Sequence, residues 1–252
     1  MKNYLKAILF MSLFLSTVIC FKSTGYAMVS DISAYAAGTV LPATEIDNGN
    51  LPLYFTSNTI NVGDSVYNRI YGKTYVENPH VALSDLRYLK MLHYNFDGNV
   101  QVGEMIVNKE IADSTLSVFK SLFSSKYQIR QMHLADDFWY IDSLTTDDVC
   151  MLVDNTSCFN YRVVQGTSKV SNHAKGLAID INPHENPYAK AVGDGTYSII
   201  KPQLYAEGYM TDRESKAHAI TTNDLAYQLF TTNGFTWGGS WTSVKDYQHF
   251  ER

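Results

Sequence analysis

The segment Ser171-Asn172-His173-Ala174-Lys175-Gly176-Leu177-Ala178-Ile179-Asp180 sets an imidazole and a carboxylate seven positions apart. Fully extended, that interval would span ~23 Å at ~3.3 Å per residue. His173 and Asp180 can therefore share one ion only if the chain bends between them, and Gly176 is where a bend is easiest. From Leu177 the pattern alternates: Leu177, Ile179 and Ile181 point one way, Ala178, Asp180 and Asn182 the other. Asp180 thus leaves the apolar face, and small Ala178 leaves room beside it. Near the C-terminus, Trp237-Gly238-Gly239-Ser240-Trp241 precedes Asp246-Tyr247-Gln248-His249-Phe250-Glu251. His249 completes a His/Asp/His set of donors suited to Zn2+, with a fourth position left for water as in a catalytic site. Asp246, three residues before His249, can act as base on that water if the chain turns locally. Glu251 can orient a ligand imidazole from behind.

Each feature alone has a blander reading. A single histidine is usually a satisfied structural residue, an aspartate ending a strand is usually a cap, and Trp-Gly-Gly is usually a tight turn beside a packed indole. His80, His93, His133, His184 and His218 show how little one histidine means. His184 lies close to Asp180 but follows Pro183 in a loop-like Asn-Pro-His-Glu-Asn-Pro run, and is read as a loop residue.

Taken together, Ser-x-His-x-x-Gly-x-Ala-x-Asp, then Trp-Gly-Gly-x-Trp, then Asp-x-x-His, the pattern resembles the zinc D-alanyl-D-alanine carboxypeptidase and L-alanyl-D-glutamate endopeptidase family. That family includes vancomycin-resistance D,D-carboxypeptidases and phage endolysins, and shares its fold with hedgehog signalling domains. The resemblance runs from Thr156 to Glu251, about two-fifths of the chain, and residues 28–130 add little to it. It implies that His173, Asp180 and His249 hold zinc and that Asp246 is the general base. It also implies that Arg162 steadies a tetrahedral oxyanion or substrate carbonyl, that Ser171 contacts substrate or supports the site, and that Trp237 and Trp241 line or brace the groove. The implied reaction is hydrolysis of a peptide bond in a peptidoglycan stem peptide, by a carboxypeptidase or an endopeptidase. The alternative is a catalytically silent zinc module that binds wall peptides or a protein partner. Ser240 stands where many endopeptidase relatives carry Asp, so the bond cut stays open.

The elements that must position these residues read as α+β, with a central, mainly antiparallel sheet flanked by helices. Ser84–His93 suggests a short helix, with Ser84 as N-cap and Leu86, Leu89 and Leu92 at helical spacing. Val100–Val107 reads as a strand and Asn108–Phe123 as a helix with Ile111, Leu116, Phe119, Leu122 and Phe123 on one face. Residues 127–134 alternate as a strand would. Asp136–Asn160, acidic and turn-rich, suggests a long surface excursion. Tyr161–Val164 and Leu177–Asn182 are strand candidates, Asp224–Thr232 a helix stopped by Asn233-Gly234, and Tyr247–Phe250 a closing aromatic strand.

Residues 1–27 read as a secretory signal: Lys2 and Lys6 precede an apolar run, Ala7–Phe21, that is short for a membrane span of ~20 residues, and Gly25-Tyr26-Ala27 supplies small residues for cleavage. The expected organisation is then a linker or N-terminal arm over 28–60, a part packing on the core over 61–130, and a catalytic core over 131–252. Removing the signal takes Lys2, Lys6 and Lys22, leaving 17 basic minus 25 acidic side chains, or −8. That balance argues against nucleic acid as a partner. A monomer is expected, secreted or associated with the cell wall, with no membrane attachment after cleavage. Cys150 and Cys158 could close a disulfide after export or remain two separate buried thiols.

Overall fold

Backbone hydrogen bonding between neighbouring segments organises the described residues into three antiparallel sheets. The computed structural model describes residues 28–139, 144–193, 196–199 and 203–252, so the signal segment 1–27 lies outside the described residues. The largest sheet comprises β1 (Val40–Leu41), β2 (Phe55–Thr59), β3 (Leu86–Tyr94) and β4 (Val100–Asn108), ordered β1-β4-β3-β2. Between β2 and β3 lies α1 (Ser65–Ile70), whose Asp64 cap accepts from the Tyr67 N–H at 2.7 Å.

β3 corrects the helix expected over Ser84–His93. Leucines three apart fit a helix, but they also fit a strand covered on both faces, where alternation disappears. That is the case here: Leu89 through His93 are all buried. The partner decides it, because β3 pairs with β4 over its whole length, from Leu86 opposite Asn108 to Tyr94 opposite Val100.

α2 (Lys109–Ser124) follows β4 directly, capped by the Asn108 side chain, which accepts from the Glu110 N–H at 3.1 Å. Its expected apolar face is buried at Ile111, Phe119, Leu122 and Phe123, with Leu116 packed partly against the same core.

Residues 127–134 do not form a strand, although Ile129, Met132 and Leu134 are buried. Two asparagine side chains stand in for a neighbouring strand. Asn182 Oδ1 accepts from the Arg130 N–H at 3.0 Å and its Nδ2 donates to the Gln128 carbonyl at 3.1 Å. Asn155 does the same for both backbone groups of His133, at 2.9 and 3.0 Å. The backbone is satisfied without a ladder.

Nor do the described residues of Asp136–Asn160, which omit 140–143, make a surface excursion. They contain α3 (Thr146–Leu152), closed by a Thr145–Asp148 capping box, and then dive inward so that Asp154 through Thr156 and Cys158 through Asn160 are buried. Cys150 and Cys158 are separate buried thiols. Tyr161–Val164 makes only one isolated bridge, Val163 to Val170.

The remaining strands are β5 (Ala178–Asp180), β6 (Tyr188–Ala191), β7 (Tyr197–Ile199), β8 (Thr236–Trp237), β9 (Val244–Asp246) and β10 (His249–Glu251). They make two small sheets, β5-β10-β8 and β7-β6-β9. α4 (Leu225–Thr232) precedes β8 and ends, as expected, at Asn233 and Gly234, the latter at φ 86°. The α+β class with mainly antiparallel strands holds, and among the described residues those strands fall into three sheets.

Residues 28–60 are not a loosely docked arm. Val29, Ile32, Leu41, Ile46, Tyr54 and Phe55 join one apolar cluster that continues through β3, β4 and α2 to Ile179, Phe230 and Phe250. The buried Tyr54 hydroxyl donates to the Val29 carbonyl at 2.6 Å, tying this segment to itself inside the core. Among the described residues, no helix is long and apolar enough to cross a membrane.

Candidate active site

The antiparallel register sets Asp180 directly opposite His249, so the edge of the β5–β10 ladder presents a carboxylate and an imidazole together. His173 reaches them from a single 3-10 turn, His173–Lys175, which ends at Gly176 with φ 70°. That is the bend the spacing required. A Cβ on Gly176 would also lie 2.7 Å from the Asn108 amide nitrogen, so no larger side chain fits. Asn108 fastens the bend to the start of α2: its N–H donates to the Gly176 carbonyl at 2.7 Å and its Nδ2 to the Lys175 carbonyl at 3.0 Å.

Three donor atoms converge. His173 Nε2 lies 3.3 Å from Asp180 Oδ2, His249 Nδ1 lies 3.2 Å from Asp180 Oδ1, and the two ring nitrogens are 3.2 Å apart. The far nitrogens fix the tautomers. His173 Nδ1 meets the Cys158 carbonyl at 2.7 Å, and a carbonyl only accepts, so Nδ1 carries the hydrogen. His249 Nε2 donates to Glu251 Oε2 at 3.1 Å, and Asn172 Nδ2 holds the same oxygen at 2.7 Å. With both far nitrogens committed as donors, the two near nitrogens face each other and a carboxylate, an arrangement that calls for a positive charge among them, whether a proton or a metal ion. The residues fit a divalent ion: imidazole and carboxylate are zinc donors, and each ring is oriented from behind by an acceptor.

Electrostatics agree. Burial opposes a charge on Asp180, but the charges and hydrogen bonds of His173 and His249 hold it well below the usual carboxylate range. Burial also works against a protonated His249, yet hydrogen bonds to Asp180 and Glu251 raise it to about 10. The His249 hydrogen bond in turn lowers Glu251 to about 2.

Asp246, at the end of β9, points its Oδ2 to within 3.9 Å of His249 Nδ1, while its buried Oδ1 has no hydrogen-bond partner. Burial, opposed by the charge of His249, pushes this carboxyl up to about 7. The Trp-Gly-Gly turn permits the approach, since a Cβ on Gly238 would sit 2.7 Å from the Asp246 carbonyl oxygen. The two tryptophans divide their work. Trp241 lines the groove with its ring 5.2 Å from that of His249, whereas Trp237 is buried, donates to the Tyr247 carbonyl at 2.8 Å and braces β8 against Phe250.

The groove has a volume of about 510 Å³. Arg162 enters its wall with Nη2 donating to Asp147 Oδ1 at 2.6 Å and a buried Nε without partner. Ser171 supports the ligand turn: its Oγ accepts from the His173 N–H at 3.2 Å. Several groove residues carry no sequence signal. Asp147, Lys169 and Lys190 line it, and Gln248 Nε2 donates to Asp180 Oδ2 at 3.2 Å. Gln248 could have been suspected from its place beside His249; Asp147 could not, being distant in the chain.

Residues 165–252 match the family model for D-alanyl-D-alanine carboxypeptidase. That segment, about a third of the chain, agrees with the resemblance carried by the two motifs and supports a peptidase of the kind that acts on peptidoglycan peptides. The match includes His173, Asp180, Asp246 and His249 and begins just after Arg162. No curated protein and no solved structure matches the chain.

Proposed function

We propose that the protein is an exported zinc D,D-carboxypeptidase that removes the terminal residue from peptidoglycan stem peptides. The observation that carries this reading is the convergence of the His173, Asp180 and His249 donor atoms beside the Asp246 carboxylate, whose buried Oδ1 has no hydrogen-bond partner. When bound, zinc would supply a Lewis acid for the scissile carbonyl and would acidify a water molecule.

The chain's own side chains do the rest. Asp246 Oδ1 accepts the proton of the attacking water and later delivers it to the leaving amine nitrogen, so one carboxylate serves as base and then acid. The Arg162 guanidinium, steadied by Asp147, offsets negative charge growing on the carbonyl oxygen; one well-placed donor of this kind is worth about 3–4 kcal/mol. Trp241 shields one side of the reacting group from water. Lys169 and Lys190 give the groove cations for a terminal carboxylate, which favours a carboxypeptidase over an endopeptidase.

The test is direct. Mature protein with zinc, incubated with purified peptidoglycan and with a synthetic pentapeptide ending in D-Ala-D-Ala, should release free D-alanine. Release of an internal amine without D-alanine would indicate an endopeptidase, and no new product at all would indicate a silent binding module. Export predicts a mature N-terminus after Ala27 in the culture medium, readable by N-terminal sequencing.

A further inference from the structure

A second group of donors lies where the turn after α3 meets the loop after β5. Asp154 closes the turn after α3, and His184 and Glu185 lie in the loop after β5. One ligand atom from each of the three residues falls within 4.8 Å of the others. Asp154 is 4% exposed and Glu185 8%, so two carboxylates are withdrawn from water side by side.

Such a pair is costly unless something positive or a shared proton joins it. The nearby arginines do not fill that role through direct pairing. Arg213 spends its Nη groups on neutral acceptors: the carbonyls of Glu185, Tyr209 and Ile220 and the Asn186 side chain. Arg130 acts on the pair only at longer range. Asp154 Oδ1 accepts the His184 backbone N–H at 2.9 Å. The two carboxyls face each other closely enough to hydrogen-bond, a contact that needs either a shared proton or a cation in its place.

The imidazole is oriented as well. His184 Nε2 faces the Leu152 carbonyl at 2.9 Å; the carbonyl only accepts, so Nε2 carries a hydrogen and a metal bond would fall to Nδ1. The loop is rigid. Asn186 Nδ2 donates to the carbonyls of Ile181, Asn182 and His218, and its Oδ1 accepts from Arg213 and the Ile220 N–H. Ligand bonds of about 2.1 Å span up to about 4.2 Å across an ion, so closing the set needs only small side-chain adjustments.

We propose that Asp154, His184 and Glu185 form a second metal site, for a divalent transition-metal ion such as Zn2+ or Mn2+. One imidazole with two carboxylates favours these ions over Ca2+, which takes oxygen ligands alone. The site holds the loop after β5 to the end of α3.

Metal counting tests this. Mature protein loaded with Zn2+ and dialysed should retain two zinc ions per chain by elemental analysis. The Asp154→Asn, Glu185→Gln double variant should retain one, and so should a His173→Ala, Asp180→Ala variant, which empties the other site alone. One ion in the wild type and one in the Asp154/Glu185 variant would overturn the proposal and leave the two carboxyls sharing a proton. One ion in the wild type that is lost only from the Asp154/Glu185 variant would uphold it and instead count against the catalytic site. Should the double variant not fold, metal-stripped wild type titrated with Mn2+ and followed by electron paramagnetic resonance decides: two binding steps support the site, one rejects it.

Discussion

Asp180 and His249 face each other as partners in the β5–β10 ladder, with Oδ1 of one 3.2 Å from Nδ1 of the other. The pairing turns a separation of 69 positions into a fixed contact. Register is the reason: a one-residue slip would send one of the two side chains to the opposite face of the sheet. The third donor, His173, depends on a different device, the left-handed turn at Gly176 anchored on Asn108.

Replacing Asp246 by Asn should leave zinc in place and lower kcat by roughly 10²–10⁴-fold, the usual contribution of a positioned general base. Steady-state kinetics on a D-Ala-D-Ala peptide, with metal analysis of the same sample, check it. Full turnover at full metal content would remove Asp246 from the base role.

Glu251 holds His249 from behind and is itself held by Asn172. Glu251→Gln should weaken zinc binding by about 10–100-fold while the fold persists. Competition against a chromogenic chelator measures the affinity, and an unchanged value would make this contact incidental.

Gly176→Ala meets two penalties at once, a left-handed φ of 70° and a Cβ 2.7 Å from the Asn108 nitrogen. The expected cost is about 2–4 kcal/mol in urea unfolding. Metal affinity should fall with it, because the same turn sets His173. An alanine variant with wild-type stability would contradict the packing described for this bend.

His93 provides the pH dependence. It lies on β3, buried against residues 127–134, its Nδ1 hydrogen-bonded to the Ile129 carbonyl at 3.1 Å and its Nε2 without a partner. Burial lowers it from 6.5 to about 4. The folded protein therefore keeps His93 neutral where the unfolded chain already binds a proton. Its contribution to stability is complete above about pH 6.5, declines as the pH falls, and is gone below about pH 4, a total of about 3 kcal/mol. Urea unfolding at intervals between pH 7 and 4 should show this decline, and His93→Gln should flatten it. Equal slopes in variant and wild type would assign the acid sensitivity elsewhere.

Lys169 and Lys190 line the groove. Changing both to Ala should raise KM for a peptide with a free terminal carboxylate by roughly 10-fold, with little change in kcat, and should leave an amidated peptide unaffected. Equal effects on both peptides would point to a loss of groove shape rather than of a carboxylate contact.

Local chemistry determined much of this protein before any coordinates. The alternation from Leu177, the asparagine and aspartate caps of α2 and α4, the Asn-Gly stop and the two motif segments are each written within about ten residues of chain, where backbone sterics and periodicity act directly. The α+β class and the residues that converge at the site follow from those signals. What tertiary structure decided has the opposite character. β3 became a strand because β4 lies against it; its own leucine spacing suits a helix equally. Residues 127–134 stayed out of a ladder because Asn155 and Asn182, far along the chain, satisfy their backbone groups. The arm over 28–60 became core because β1 and β2 found open edges of the large sheet. Asp147 reached Arg162, and Asp154 reached Glu185, only once α3 packed inward. Contacts between distant segments depend on which partner is present, and periodicity along one segment carries no record of the partner.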